Sequence, residues 1–140
     1  MTFLLDTNVV SELRKAQRCH PAVAAWNAIV APRDTFISVL VIGEVRRGIE
    51  RLRRRDAATA SVLEEWRDAI VAIFSGRILP VTEEIAHVWG YMGVPDPISP
   101  VDGLMAATAL VHDLTLVTRD MRGVARTGVR TLNPFLATHK

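Results

Sequence analysis

Apolar and polar positions fall into blocks along this chain, and their period changes from block to block. Phe3-Leu4-Leu5 is an unbroken apolar run that stops at Asp6. A run without polar alternation suits a strand covered on both faces, as in a parallel sheet. Over 7–14 the spacing becomes helical, with Val9, Val10 and Leu13 on one face. Asp6 or Thr7 is placed to cap the free amides of that first turn. His20-Pro21 reads as a break. Val23, Trp26, Ile29 and Val30 predict a helix over 22–31, which Pro32 stops. Thr35-Phe36-Ile37-Ser38 predicts a second strand. The following run, 39–45, is apolar enough for strand or helix. Ile42, Val45, Ile49 and Leu52 keep the helical period, so a helix is expected from Ser38 to about Arg54. The next helix, 57–74, has Val62, Leu63, Trp66, Ala69, Ile70 and Ile73 as its expected buried stripe. The two should form a hairpin, and Ser75-Gly76 ends it.

The second half repeats the alternation. Residues 77–81 predict a short strand, and Thr82 caps a helix whose Ile85, Ala86, Val88 and Trp89 turn inward. Residues 90–98, with Gly90, Gly93, Pro95 and Pro97, predict a loop. Ser99-Pro100-Val101-Asp102 reads as cap, first helical position and capping-box acid of a helix that runs to His112. Its alanines predict close packing on the sheet. Residues 114–118 form the clearest strand and lead into Arg119-Asp120. Residues 129–132 predict a last edge strand. Short connections between alternating elements predict one three-layer α/β domain over 1–140. Its central, mainly parallel sheet has four to five strands with helices on both faces.

Composition narrows the classes. Hydrophobic residues make up 49% and charged residues 23%, too apolar and too weakly charged for a disordered chain. The net charge of +2 excludes a polycation, but only Lys15 and Lys140 are lysines, so nearly every cation is an arginine. Arginine's fork suits phosphate and carboxylate recognition; a GC-rich genome would give the same bias. Cys19 is the sole cysteine, which excludes an internal disulfide and a thiolate zinc cluster and fits a reducing cytosol. No basic region precedes Phe3 and no apolar stretch approaches the ~20 residues of a membrane helix, so a cytoplasmic location is expected.

Asp6 and Asp120 each follow an apolar strand at its carboxyl end. In a parallel sheet those ends share the edge where open α/β proteins bind ligands. Asp102 sits on the first turn of a helix, near the same edge. Glu44 lies within an apolar helix, half-buried, and so needs a partner or a cation. Each acid also has a plainer reading: helix cap for Asp6, capping-box acid for Asp102, ion pair with Arg46 or Arg47 for Glu44, turn residue for Asp120. If the four converge, they cannot all stay ionised without a counter-charge. An all-oxygen ligand set points to Mg²⁺ or Mn²⁺. Such an ion can activate water toward a phosphodiester. Thr7, Asn8, Ser38 and Thr118 lie close enough to orient these acids, or to cap helices and end strands. Arg14, Arg46, Arg47, Arg51, Arg119 and the 53–55 run offer a phosphate-binding rim, or a solvated face. Trp26, Trp66 and Trp89 read as core or dimer contacts. His20, His87, His112 and His139 show no ligand spacing and read as non-catalytic.

Four blocks carry a family resemblance: Leu-Leu-Asp-Thr-Asn-Val-Val-Ser-Glu at 4–12, Ser-Val-Leu-Val-Ile-Gly-Glu-Val at 38–45 with Arg46-Arg47-Gly48, Val-Asp-Gly-Leu-Met-Ala-Ala-Thr-Ala at 101–109, and Leu-Val-Thr-Arg-Asp at 116–120. In this order they resemble PIN-domain ribonucleases, and among them the VapC toxins of toxin–antitoxin pairs in their FitB-like branch. The resemblance implies a PIN fold, magnesium-dependent RNA cleavage, and metal-binding catalytic acids at Asp6, Glu44, Asp102 and Asp120. It also implies a homodimer and a VapB-type antitoxin that lays a peptide over the active site. It departs at Gly123 and Val124, where many relatives carry Asp-Phe; an additional acid is absent, which leaves one ion or two open. Asp120 stands where some relatives have asparagine. Two other readings remain: a phosphatase using Asp6 as nucleophile, against which Asn8 stands in place of the needed second acid, and a non-catalytic PIN-like module that binds RNA or a partner.

Overall fold

The computed structural model describes residues 1–136. Its strands are β1 (Phe3–Leu5), β2 (Thr35–Ser38), β3 (Ile78–Leu79), β4 (Thr115–Val117) and β5 (Thr131–Leu132). They form one parallel sheet in the order β3-β2-β1-β4-β5. The central place of β1 follows from its sequence, since Leu4 and Leu5 lack any polar group that would need water and are 0% and 1% exposed. Register sets Leu4 beside Phe36 on one flank and Leu116 on the other, with Leu5 beside Val117. Phe3 meets Trp26 edge to face at 5.3 Å, an arrangement aromatic quadrupoles favour.

The helices are α1 (Thr7–Leu13), α2 (Pro21–Ile29), α3 (Val39–Arg53), α4 (Ala57–Ile73), α5 (Glu83–Met92) and α6 (Pro100–Val111). Principal contacts group α1 with α2 and α3, α3 with α4, and α5 with α6. Right-handed crossovers place α1–α4 on one face of the sheet and α5 and α6 on the other. The chain builds outward from β1 to β3, then returns to β4 on the opposite side of β1. That reversal opens a crevice at the carboxyl ends of β1 and β4. As expected, α6 packs closely, with Ala106, Ala107 and Ala109 at 0% exposure. Thr108, also buried, returns its hydroxyl to the Leu104 carbonyl at 2.7 Å.

The structure departs from the expected elements on α4, on α5, at Ser99 and after β4. On α4 only Ala60 and Ile70 are buried, Leu63 and Trp66 are half-buried, and Val62, Ala69 and Ile73 are exposed. The helix meets α3 along a narrow seam, so a stripe wide enough for a sheet face overstates its burial. On α5 only Ile85 is buried; Ala86 and Trp89 are exposed, and Trp89 lies against the bare Cα of Gly103. The same helix runs through Gly90 to Met92 because one glycine weakens a helix by only ~1 kcal/mol. The side chain of Ser99 makes no cap bond, although Pro100 does hold the first helical position, so Asp102 is not half of a capping box. Finally, a 3-10 segment over Arg122–Thr127 packs on α6 and buries Val124; Gly128 closes it at φ +80, a conformation that glycine adopts freely.

Candidate active site

The crevice is built from strand ends. Asp6 directly follows β1, and its amide donates to the Val117 carbonyl of β4 at 2.9 Å. Its Oδ1 accepts the Thr7 amide at 2.7 Å and caps α1. Its Oδ2 accepts the Thr118 hydroxyl at 2.7 Å and the Asn8 side-chain amide at 3.3 Å. Thr118, 1% exposed, also accepts the Asp120 amide through the same hydroxyl at 3.1 Å. One threonine therefore fixes Asp6 and the turn that carries Asp120. The Oδ1 of Asn8 accepts the Arg119 amide at 3.2 Å, tying α1 to that turn.

Asp102 points into this crevice from the first turn of α6. Burial, and then the charges of Asp6 and Asp120, hold its carboxyl above the usual carboxylate range. Gly123 closes the far wall, and its amide donates to Asp120 Oδ1 at 3.2 Å. A Cβ there would stand 2.9 Å from Asp102 Oδ2 and 3.1 Å from Asp120 Oδ2. Both carboxylates thus touch one bare Cα. The residue that looks like a gap in the acid pattern is a contact surface for two of the acids. Gly123→Ala should displace both carboxylates and lower turnover at this site by at least ~10-fold without lowering Tm. Steady-state kinetics beside a melting curve will separate the two effects.

Glu44 is half-buried on α3 and accepts the hydroxyl of Thr7. It pairs with neither Arg46 nor Arg47. Thr7 thereby connects Glu44 to Asp6, whose Oδ1 accepts the Thr7 amide. Among the described residues no ion pair involves Asp6, Glu44, Asp102 or Asp120. Nor, among those residues, do three or more His, Cys, Asp or Glu side chains stand close enough to hold a metal ion together. The donor set is carboxylate and hydroxyl oxygen, uncompensated by any cation. It fits a hard divalent ion that keeps several waters and takes only one or two direct carboxylates.

The supporting residues divide. Thr7, Asn8 and Thr118 touch the acids. Ser38, 0% exposed, does not: its hydroxyl accepts the Leu40 amide at 3.0 Å and caps α3. The arginines divide too. Arg46 is removed from the expected rim, because it grips Glu64 at 2.5 and 2.9 Å and Glu50 at 2.9 Å across the α3–α4 hairpin. Arg53 joins the same network. Arg14 lies over Trp66 at 5.3 Å and Arg119 over Phe135 at 3.9 Å, and Arg47 is exposed. His20 caps α2 through Nδ1 and His87 meets Tyr91, and neither bonds to any of the four acids; His139 lies outside the described residues.

The sequence matches the PIN domain family over residues 3–129. This chain belongs to the PIN-domain family. The PIN domain here is 33% identical over 138 residues to Toxin FitB of Neisseria gonorrhoeae, covering 94% of this chain and 97% of that one. It is 41% identical over 75 residues to Ribonuclease VapC14 of Mycobacterium tuberculosis, covering 53% and 72%. A solved structure of FitAB bound to an IR36 DNA fragment superposes with a TM-score of 0.86 at 32% identity, covering 99% of both chains. The fold of this PIN domain is therefore that of a known architecture.

Proposed function

We propose that this PIN domain is the toxin of a toxin–antitoxin pair and hydrolyses RNA phosphodiester bonds in the cytoplasm with Mg²⁺, or Mn²⁺, as cofactor. What supports the reading most is the convergence of Asp6, Asp102 and Asp120 in one crevice without a cationic partner. Ribonuclease VapC14 lends the activity and FitAB lends the pairing. One or two of Asp6, Asp102 and Asp120 would hold the ion directly, with the remaining acids and Glu44 orienting its waters. The ion, when bound, supplies a nucleophilic water and charge neutralisation at the phosphate. The protein's part is orientation. Thr118 and Asn8 fix Oδ2 of Asp6 and the Thr7 amide fixes Oδ1, Gly123 holds Asp120, and the Thr7 hydroxyl sets the rotamer of Glu44. Arg14, Arg47 and Arg119 steer the RNA backbone, which Arg46 does not reach.

A VapB-like antitoxin lays a peptide over the acids, and the apolar groove of about 370 Å³ between α1, α2 and α4, lined by Val10, Leu13, Trp66, Ile70 and Phe74, seats its apolar side chains. A homodimer of the 1–140 unit, a single PIN domain, completes the toxin. The test is cleavage of total RNA by purified protein with Mg²⁺, with Mn²⁺ and with EDTA. Cleavage in both metals and none in EDTA is the expected result; equal cleavage in EDTA overturns the metal-dependent reading. RNA binding without cleavage in any of these conditions would favour the module reading. Thr118→Val is expected to lower activity and apparent metal affinity by ~10–100-fold, the usual range for a residue that orients a ligand carboxylate. A Mg²⁺ titration of the variant checks this.

A further inference from the structure

A second cavity, of about 210 Å³, opens beside the acids. Thr7, Ser11, Arg14, Glu44, Gly48 and Trp66 line it, together with apolar side chains of α3 and α4. We propose that it is a subsite for one unstacked nucleotide of the RNA, adjoining the bond that is cut, with Arg14 on the nucleotide's phosphate and the open face of Gly48 admitting the base. This rests on the ribonuclease reading above.

Four observations converge on this occupant. The cavity shares Thr7 and Glu44 with the catalytic edge, so its contents lie next to the reacting phosphate. Arg14 is held over Trp66 at 5.3 Å, which presets a guanidinium fork for a phosphate at the mouth. The volume falls below the ~300 Å³ at which pockets for drug-sized molecules begin, leaving room for a single base. Finally, Gly48 stands in the interior of α3, where glycine weakens a helix, yet a Cβ there would meet nothing within 4 Å. No neighbour requires the missing side chain; the room it leaves faces the cavity. A base enters such a slot only when it is out of the stack, so the substrate class is single-stranded RNA.

The test uses a short single-stranded RNA with one site that the wild-type chain cuts in Mg²⁺. Two further RNAs carry an abasic nucleotide on one side of the cut or the other. One of the two is expected to raise the wild-type KM ~10-fold or more. Gly48→Leu, which fills the slot, should raise KM on the intact RNA and lose no more on the abasic one. Arg14→Ala, a change at an exposed side chain, should raise KM and reduce the salt slope of binding by about one phosphate; it carries the test if Gly48→Leu fails to fold. The subsite is overturned if the wild type treats all three RNAs alike, or if the folded variants keep the wild-type KM. A wild type that cuts no RNA fails the ribonuclease reading and this proposal with it. One that cuts without regard to the flanking base fails this proposal alone.

Discussion

Asp6→Asn is expected to reduce RNA cleavage by at least ~100-fold while Tm stays within a few degrees of wild type. Two roles meet in this carboxylate, and the substitution separates them. The first is structural: Oδ1 caps α1 by accepting the Thr7 amide. Asparagine caps helices about as well as aspartate, so that role survives. The second is electrostatic. Asp6 is the acid most firmly oriented in the crevice, held by Thr118 and Asn8 on Oδ2. An amide of the same shape keeps the Oδ1 cap, puts a donor where Oδ2 accepts from Thr118 and Asn8, and loses the charge that a divalent ion needs. Asp6→Ala should lose cleavage equally and about 1 kcal/mol of stability besides, the ordinary cost of a missing cap. Cleavage assays in Mg²⁺ and Mn²⁺, with thermal melts of both variants, provide the comparison. Wild-type cleavage by Asp6→Asn would falsify the catalytic role.

Much of this arrangement is legible in the sequence because it follows from short-range patterns. The run Phe3-Leu4-Leu5 before an acid gives β1 its central place and sets Asp6 on the sheet edge. The helical period through Ile42, Val45 and Ile49 resolves 39–53 as α3 and leaves Glu44 half-buried. What is not legible depends on pairings between distant residues. Ser99 and Asp102 have the spacing of a capping box, but the box does not form, and Asp102 turns instead toward Asp6 and Asp120. Arg46 sits two residues from Glu44, on a different face of the helix, and pairs instead with Glu50 one turn on and with Glu64 of α4. Gly123 carries no side chain to announce a role. Its closeness to two carboxylates exists only once the 3-10 segment folds back on α6.

The arginines show how placement sorts residues that composition treats alike. Glu50 and Glu64 consume Arg46 and Arg53, and the Arg46 and Arg53 side chains in turn hold both carboxyls below the ordinary glutamate range. That network serves the hairpin. Arg14 and Arg119 rest on aromatic rings, which orient a guanidinium without neutralising it. Arg14 also borders both the apolar groove and the smaller cavity. A partner seated in the groove therefore lies against the residue assigned to the RNA.

Asp102→Asn is expected to abolish cleavage and, in metal-free buffer at neutral pH, to raise Tm by a few degrees. The sign follows from the raised pKa. Burial and the charges of Asp6 and Asp120 disfavour the ionised form of Asp102 in the folded state. The folded protein therefore binds this proton more tightly than the unfolded chain does. Stability contributed by the group is fully present below the ordinary aspartate pKa and is lost as pH rises through the higher folded value. Above that window the wild type retains a constant penalty, which asparagine removes. Divalent ions reverse the order. Binding to the folded state alone stabilises by RT ln(1 + [L]/Kd), and the wild type should gain Tm steadily with added Mg²⁺. The variant, short of one ligand charge, should gain little. Two melting series at neutral pH, with EDTA and with millimolar Mg²⁺, should therefore cross. Parallel series would mean that Asp102 carries no ion, and a lower metal-free Tm for Asp102→Asn would mean that its charge is already satisfied in the fold.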